Sequence, residues 1–267
     1  MKLLIVRHGQ STNNAAWEQI GTYARTTDPG LTELGHAQAQ ALADWMVEQG
    51  PRPSRIFCSL MRRTILTAHP WAEGLDLPVE ARVELHENGG CYSGEYHDQT
   101  PHPGSPRGEL QALSTRVVLP EQATEAGWWT GPTEAAADSL RRAARVADWL
   151  WTLEDDCVAL VIHGAIGSML LSALLQPASV EAALALDNPG ADDLSVWYRL
   201  DNTSVTLLEL EHGRRRVWVD WVNRVDHLTT VDHLPSRTHH PVPPAIPATS
   251  PPPDTPPTTQ EAPDDTH

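Results

Sequence analysis

Short apolar runs alternate with helically spaced apolar positions along most of the chain. Residues 3–6, Leu-Leu-Ile-Val, form an unbroken run that Arg7 ends, which reads as a strand covered on both faces. Leu31-Thr32 opens a helix with Thr32 as its N-cap; Leu34, Ala37, Ala41 and Trp45 recur at helical spacing until Gly50-Pro51 stops it. Residues 55–58 read as a second strand and 64–72 as a helix, with a break or kink expected at His69-Pro70. Leu140, Ala144, Ala147 and Leu150 mark a helix over 134–153, and residues 157–162 are a fully apolar strand followed by a helix over 166–175. Residues 195–200, 204–210 and 216–222 are strand-like and joined by turn residues, so they are expected to add antiparallel strands.

Strands alternating with helices, then a terminal hairpin, predict an α/β fold: a three-layer α/β/α sandwich with a mostly parallel sheet and antiparallel edge strands. Two stretches break the pattern. Residues 87–132 are rich in Gly, Pro and aromatics without a sustained period, and are expected to form an insertion or lid (about 88–133) outside the core. Residues 235–267 hold 11 of the 23 prolines and almost no large apolar side chains, so they predict a disordered tail with an unknown partner, leaving 1–234 as the folded domain.

Composition narrows the function classes. Nineteen Lys and Arg against 35 Asp and Glu give a net charge of −16, which offers no general support for binding nucleic acid or a membrane surface. An anionic ligand therefore needs a local pocket of cations, and that pocket must be arginine, because Lys2 is the only lysine. Cys58, Cys91 and Cys157 are too few and scattered for a disulfide framework or a four-cysteine zinc site, which fits a cytoplasmic protein. The apolar run before Arg7 is too short for a signal peptide, and no stretch reaches the length of a membrane span.

In a mostly parallel sheet, ligands bind beyond the carboxyl ends of the strands. There the sequence places Arg7-His8-Gly9-Gln10-Ser11-Thr12-Asn13-Asn14, then Ser59-Leu60-Met61-Arg62-Arg63, then His163-Gly164-Ala165. Two imidazoles among guanidinium groups without a carboxylate cluster suit an oxyanion rather than a metal ion. His97, Asp98 and His102 are spaced across prolines as in a loop, and no metal ligand is assigned. Arginine forks give charge-assisted hydrogen bonds to phosphoryl oxygens, and neighbouring cations favour a neutral imidazole able to attack phosphorus.

These segments resemble the histidine phosphatase superfamily, which includes the cofactor-dependent phosphoglycerate mutases. Arg7-His8-Gly9 with Ser11 and Asn14 is similar to the motif R-H-G-x-S/T-x-x-N, and residues 28–39 resemble the segment that follows it. Residues 59–68 are similar to S-P-L/M-x-R-x-x-Q-T-A, with Leu60 and Leu66 replacing proline and glutamine; aligning Thr67-Ala68 selects Arg63 over Arg62. Leu85-His86-Glu87 resembles the L-x-E segment, Ile162-His163-Gly164 the second histidine, and residues 202–206, Asn223 and 226–228 the terminal strands.

The resemblance implies a phosphoglycerate mutase-like fold and a phosphomonoester hydrolase acting on a small phosphorylated substrate. His8 would be the nucleophile, with Arg7, Arg63 and His163 holding phosphoryl oxygens and Glu87 as general acid and base. Gly9, Ser11, Asn14 and Gly164 would complete the substrate site, with no metal or organic cofactor. Glu80, Glu84 and Glu95 lie close to Glu87 in sequence and compete with it as the acid.

Mutases of the family carry R-H-G-E-S-x-W-N and a basic W-R-R segment. Here Gln10 and Asn13 replace that Glu and Trp, and Arg107 and Arg116 are the only arginines in 88–133, which favours hydrolysis over transfer. A mutase and a non-catalytic phospho-ligand binder are the alternatives. Trp128-Trp129 are expected to anchor the insertion or to line a pocket, Arg214-Arg215-Arg216 to sit at an exposed hairpin end, and that hairpin could pair across a homodimer.

Overall fold

The structure is a computed structural model that describes residues 1–20, 26–95, 98–187 and 189–230; the expected tail, 235–267, lies outside them. In chain order the elements are β1 (Lys2–Arg7), α1 (Thr12–Ile20), α2 (Glu33–Glu48), β2 (Arg55–Ser59), α3 (Arg62–Leu75), β3 (Val79–Arg82), β4 (Tyr92–Glu95) and β5 (Asp98–Pro101). There follow α4 (Arg107–Gln111), β6 (Val117–Val118), α5 (Ala136–Leu150), β7 (Cys157–Ile162), α6 (Gly164–Leu175), α7 (Pro177–Leu184), β8 (Val205–Glu211) and β9 (Arg216–Arg224).

Seven strands form one sheet in the order β6-β3-β2-β7-β1-β8-β9, with β4 and β5 as a separate antiparallel pair. β6, β3, β2, β7 and β1 pair in parallel, and β8 and β9 add antiparallel strands at one side. Alternate residues of the central strands feed opposite layers, as the two-residue period of a strand requires. Leu4, Val6, Ala159 and Val161 pack with α2 and α3, while Leu3, Ile5, Val158, Leu160 and Ile162 pack with α5, α6 and α7. The three-layer α/β/α arrangement expected from the sequence is the one observed.

Register then fixes where the chemistry sits. Arg7 pairs with Ile162 across the parallel β1·β7 ladder, so His8 and His163 leave the sheet side by side. Cys58 pairs with Val161, which brings Ser59 to the same edge.

Several expectations are corrected. The buried stripe of α2 is Gly35, Gln38, Ala39, Leu42, Ala43 and Met46, not the one through Leu34, Ala37, Ala41 and Trp45. Close approach decides this: a Cβ on Gly35 would collide with the Gln10 carbonyl oxygen, and one on Gly9 would lie 2.6 Å from the Gly35 carbonyl oxygen. Gly35 faces inward because two backbones touch there, and that sets the phase for Gln38, Leu42 and Met46 to follow. Ala37, Ala41 and Trp45 instead line a groove with Arg224, Asp226 and His227.

Residues 195–200 form no strand. Their polar backbone turns to α6, where the Tyr198 N–H donates to Ser168 Oγ (2.8 Å) and Ser172 Oγ donates to the Val196 carbonyl (3.3 Å). Helix α3 runs through Pro70 without a break, its far end anchored by the buried Trp71 and Ala72.

The segment expected to stay outside the core also contributes to it. Cys91, Leu110, Val117, Leu119, Ala123 and Trp128 join the α2/α3 layer, and β6 extends the parallel sheet. Trp128 and Trp129 anchor this segment against the body, whereas Arg214 and Arg215 lie exposed at the hairpin end, as expected. Of the His97, Asp98 and His102 group, His97 is outside the described residues and His102 Nε2 bonds Ser93 Oγ at 2.8 Å. Among the described residues no single helix is long and apolar enough to cross a membrane.

Candidate active site

β1 ends in Arg7, and the backbone N–H of His8 still bonds the Ile162 carbonyl (2.9 Å), so both residues are carried by the sheet itself. The turn that follows is pinned from three sides. Thr203 N–H donates to the Arg7 carbonyl (3.0 Å), Asn202 Nδ2 donates to the His8 carbonyl (2.8 Å), and Gly9 N–H donates to Thr67 Oγ1 on α3 (3.0 Å). Thr203 adopts φ of 54° to make its contact, a left-handed conformation uncommon outside glycine.

The His8 ring is oriented by its own neighbour. Nδ1 lies 2.7 Å from the Gly9 carbonyl oxygen, an acceptor only, so Nδ1 carries the hydrogen. That leaves the lone pair on Nε2, and there Arg63 Nε donates at 3.1 Å. Arg63 is buried in the first turn of α3, while Arg62 beside it points away and pairs with Glu109 (3.1 Å). The arginine brought to the histidine is thus the one the motif alignment selects.

His163 caps the start of α6 and is fully buried, its ring centroid 5.2 Å from that of His8. Nε2 meets Ser59 Oγ at 2.8 Å, and Nδ1 has no hydrogen-bond partner among the described residues. Burial first, then the Arg63 guanidinium, then His8, push its pKa well below that of a free imidazole. It is neutral at physiological pH. Arg7 is also buried and donates through Nη1 to the Leu200 carbonyl (2.5 Å). Desolvation lowers its pKa to about 10, against the pull of Glu87 and Asp201, so it keeps its charge.

Among the neighbouring glutamates, Glu87 is the one delivered to this cluster. Its Oε1 accepts from the Asn88 and Ile166 N–H groups (2.9 Å each) and its Oε2 from Ala165 N–H (3.2 Å), placing the carboxylate at the amino end of α6 just past Gly164. Glu80 instead pairs with Arg55 and Glu84 with Arg82 at the surface; the Glu95 side chain lies outside the described residues.

Ser11 and Asn14 serve the start of α1, a helix the sequence pattern missed because it lacks an apolar stripe. Asn14 Oδ1 accepts from Ser11 N–H (3.1 Å) and Ser11 Oγ (3.0 Å), and Ser11 Oγ accepts from Asn14 N–H (3.3 Å). Their contacts are those of a helix cap below His8. Gly9 is required by its approach to Gly35.

Ser59, Thr67 and Asn202 position the two histidines and carried no assigned role in the sequence reading. The position of Ser59, directly after the apolar run at 56–58, is the available signal. Asp28, beside the first turn of α3, accepts from Arg62 N–H (3.1 Å) and Ser105 Oγ (2.9 Å), and burial pushes its pKa up while Arg63 opposes that shift.

The cluster is therefore an imidazole whose Nε2 meets the Arg63 guanidinium, two buried guanidinium groups, a second imidazole that is neutral, and a carboxylate. The family model for the histidine phosphatase superfamily (branch 1) matches residues 3–223. A mutase of Bifidobacterium longum, named as 2,3-bisphosphoglycerate-dependent phosphoglycerate mutase, is 35% identical over 89 residues, which is 32% of this chain and 35% of that protein. The match thus spans about a third of the mutase's length.

Solved structures align over most of the chain. The alpha-ribazole phosphatase from Shigella flexneri aligns with a TM-score of 0.55 at 19% identity, covering 84% of this chain and 96% of that one. A mycobacterial glucosyl-3-phosphoglycerate phosphatase aligns at 0.52 and 23% identity, covering 83% and 98%. At these identities the structural likeness shows a shared fold.

Proposed function

The chain belongs to the histidine phosphatase superfamily, and from that premise we propose that it hydrolyses a small phosphate monoester through a phosphohistidine at His8. The observation that carries this reading is the state of the His8 ring: Nδ1–H is committed to the Gly9 carbonyl, and Nε2 faces the Arg63 guanidinium. A nucleophilic lone pair and the cation that would receive the phosphoryl charge meet at one point.

In the first half-reaction the Nε2 lone pair forms the N–P bond. The P–O bond to the leaving group breaks, and the departing oxygen takes a proton from Glu87. In the second, water adds to phosphorus and gives its proton to the Glu87 carboxylate. The N–P electron pair returns to Nε2, and phosphate leaves.

Arg7 and Arg63 hold the equatorial oxygens through charge-assisted bonds. His163 Nε2 shares a hydrogen bond with Ser59 Oγ; in the tautomer in which Ser59 donates, the ring hydrogen sits on Nδ1, which would donate to a third oxygen. These side chains and water account for every proton and bond in the cycle.

A second reading, transfer between positions of phosphoglycerate, is favoured by the similarity to mutases over 89 residues. Charge argues against it. Both arginines of the inserted segment are committed elsewhere: Arg107 donates to the carbonyls of Pro120, Ala123 and Leu119, and Arg116 pairs with Glu73 and Asp76 at the surface. Gln10, where mutases carry Glu, is tied to Glu18 (2.9 Å), and Asn13 to Thr26.

The test is a panel of labelled phosphate monoesters, including phosphoglycerates, followed by an alkaline quench. We expect an alkali-stable, acid-labile label on the wild type and none on His8→Ala, with phosphate release outpacing positional transfer. Turnover that persists in His8→Ala would overturn the reading.

A further inference from the structure

The segment that presents Glu87 has little structure of its own. One 3-10 turn, Val83–Leu85, leads into a coil whose Gly89 and Gly90 both have positive φ (89° and 76°). Such a stretch cannot fix a carboxylate by local geometry, and its order comes from the segment opening α5.

Arg142 is buried and uses its whole fork. Nη1 donates to the carbonyls of Glu84 (2.9 Å) and His86 (2.8 Å), while Nε and Nη2 grip Glu134 Oε1 (2.9 Å) and Oε2 (2.6 Å). Ser139 Oγ lies 2.7 Å from Asn88 Oδ1 and 2.5 Å from Glu134 Oε2, and Glu134 N–H donates to the Gly89 carbonyl (3.1 Å). Residues 84, 86, 88 and 89, on both sides of Glu87, are thus tied to residues 134–142. His86 Nε2 lies a further 3.4 Å from Glu134 Oε2.

A buried ion pair is a weak source of stability, because desolvating both charges cancels most of their attraction, and an apolar pair of similar volume packs as well. An apolar pair cannot bind two backbone carbonyls. Arginine's planar fork can, provided a carboxylate neutralises it. Glu134 fills that role: burial opposes its charge, but Arg142, His86 and Ser139 outweigh burial and hold its pKa well below the carboxylate range.

We propose that Arg142, held by Glu134, is the positioning residue for Glu87: it clamps the backbone just before the general acid and base, at the Glu84 and His86 carbonyls, while Glu134 and Ser139 tie residues 88 and 89 just after it, so that the carboxyl meets the leaving oxygen. The proposal rests on the hydrolytic reading above, and it makes the backbone that carries the proton-transfer group depend on residues 134–142, while the amino end of α6 receives the carboxylate.

Leaving-group dependence tests it. An alkyl phosphate such as glycerol 2-phosphate needs a proton delivered to its oxygen, whereas 2,4-dinitrophenyl phosphate expels a stable phenolate unaided. Arg142→Met is expected to lower kcat/KM for the alkyl ester by about 10- to 100-fold, the scale of a small misplacement of a reacting group. For the dinitrophenyl ester kcat/KM should stay within about twofold, with phosphoenzyme accumulating as its hydrolysis slows. Arg142→Lys, which keeps the charge and reaches a carbonyl, should recover part of the alkyl-ester activity, and it decides the matter if the Met variant does not fold.

Equal losses on both esters, or no loss on either, in a variant with the wild-type melting temperature would overturn the proposal. Glu87→Gln is the control. If it shows no ester selectivity, the role given to Glu87 fails, a result distinguishable from failure of Arg142 alone.

Discussion

The two halves of the site are built by different means. His8, Arg63 and His163 sit on strand ends and first helical turns, placed by a ladder in which Arg7 faces Ile162 and by backbone bonds into the His8 turn. Glu87 sits on a coil, placed by side chains of residues 134, 139 and 142 and by the amino end of α6. Backbone ladders bear most side-chain changes without shifting, whereas a carboxylate on a coil whose backbone is held by an arginine fork depends on each atom of that fork. The cradle should thus respond to substitution through lost charge, and the acid through lost position.

That contrast can be broken by mutation, with the largest effect at the nucleophile. His8→Ala is expected to lower kcat by about 10⁴-fold or more on every ester, since no covalent route remains, and the trapped label should vanish. A residual rate above that in stopped assays would remove His8 from its role.

Glu87→Gln comes next, with a loss of about 10²- to 10⁴-fold on alkyl phosphates and a much smaller one in kcat/KM for activated aryl phosphates. A leaving-group plot should steepen; a parallel shift would place the acid elsewhere. Arg63→Met should cost about 10²- to 10³-fold, roughly 3 kcal/mol of transition-state stabilisation, equally on both classes of ester. Arg62→Met, on the same helix but paired with Glu109, should change kcat less than about threefold, which separates cradle from surface.

The last effect is on stability and concerns the outer support of the cradle. Thr203, which holds the Arg7 carbonyl, is itself met by His227 Nε2 at 3.0 Å, and burial lowers the His227 pKa to about 4 against the opposing pull of Asp226. The unfolded chain binds this proton near pH 6.5, so folding is favoured at neutral pH and loses stability as the pH falls from about 6.5 toward 4. Between pH 7 and 5 the loss is about 2 kcal/mol from this residue. Urea midpoints should fall over that range, and less so in His227→Gln; an equal fall in both would exclude His227 as the source.

Much of the nucleophile's half is legible along the chain, because it depends on short-range order. An apolar run ends, and the next polar residue must emerge at the sheet edge; Arg7-His8, Ser59 and His163 all follow such runs. The choice of Arg63 over Arg62 comes from the family resemblance, through the alignment of Thr67-Ala68, because as neighbouring arginines the two look alike in the local pattern. The acid's half is far less legible. Glu80, Glu84, Glu87 and Glu95 differ little as letters, and the arginine that orders the chosen one lies 55 residues downstream, where it looks like any charged position on a helix.

The sequence by itself determined β1, α2, β2, α3, α5, β7, α6, β8 and β9 in their order, the parallel sheet with its antiparallel side, and which histidines and arginines gather at one edge. Tertiary structure decided the rest. It turned α2 onto the face that carries Gly35, because the Gln10 backbone passes where a side chain would stand. It drew Leu110, Val117 and Trp128 into the core from a segment with no period, and left residues 195–200 without strand partners. The physical reason is range. Apolar periodicity reports burial within one element, whereas close backbone approach and the pairing of buried polar groups arise only between elements already packed together.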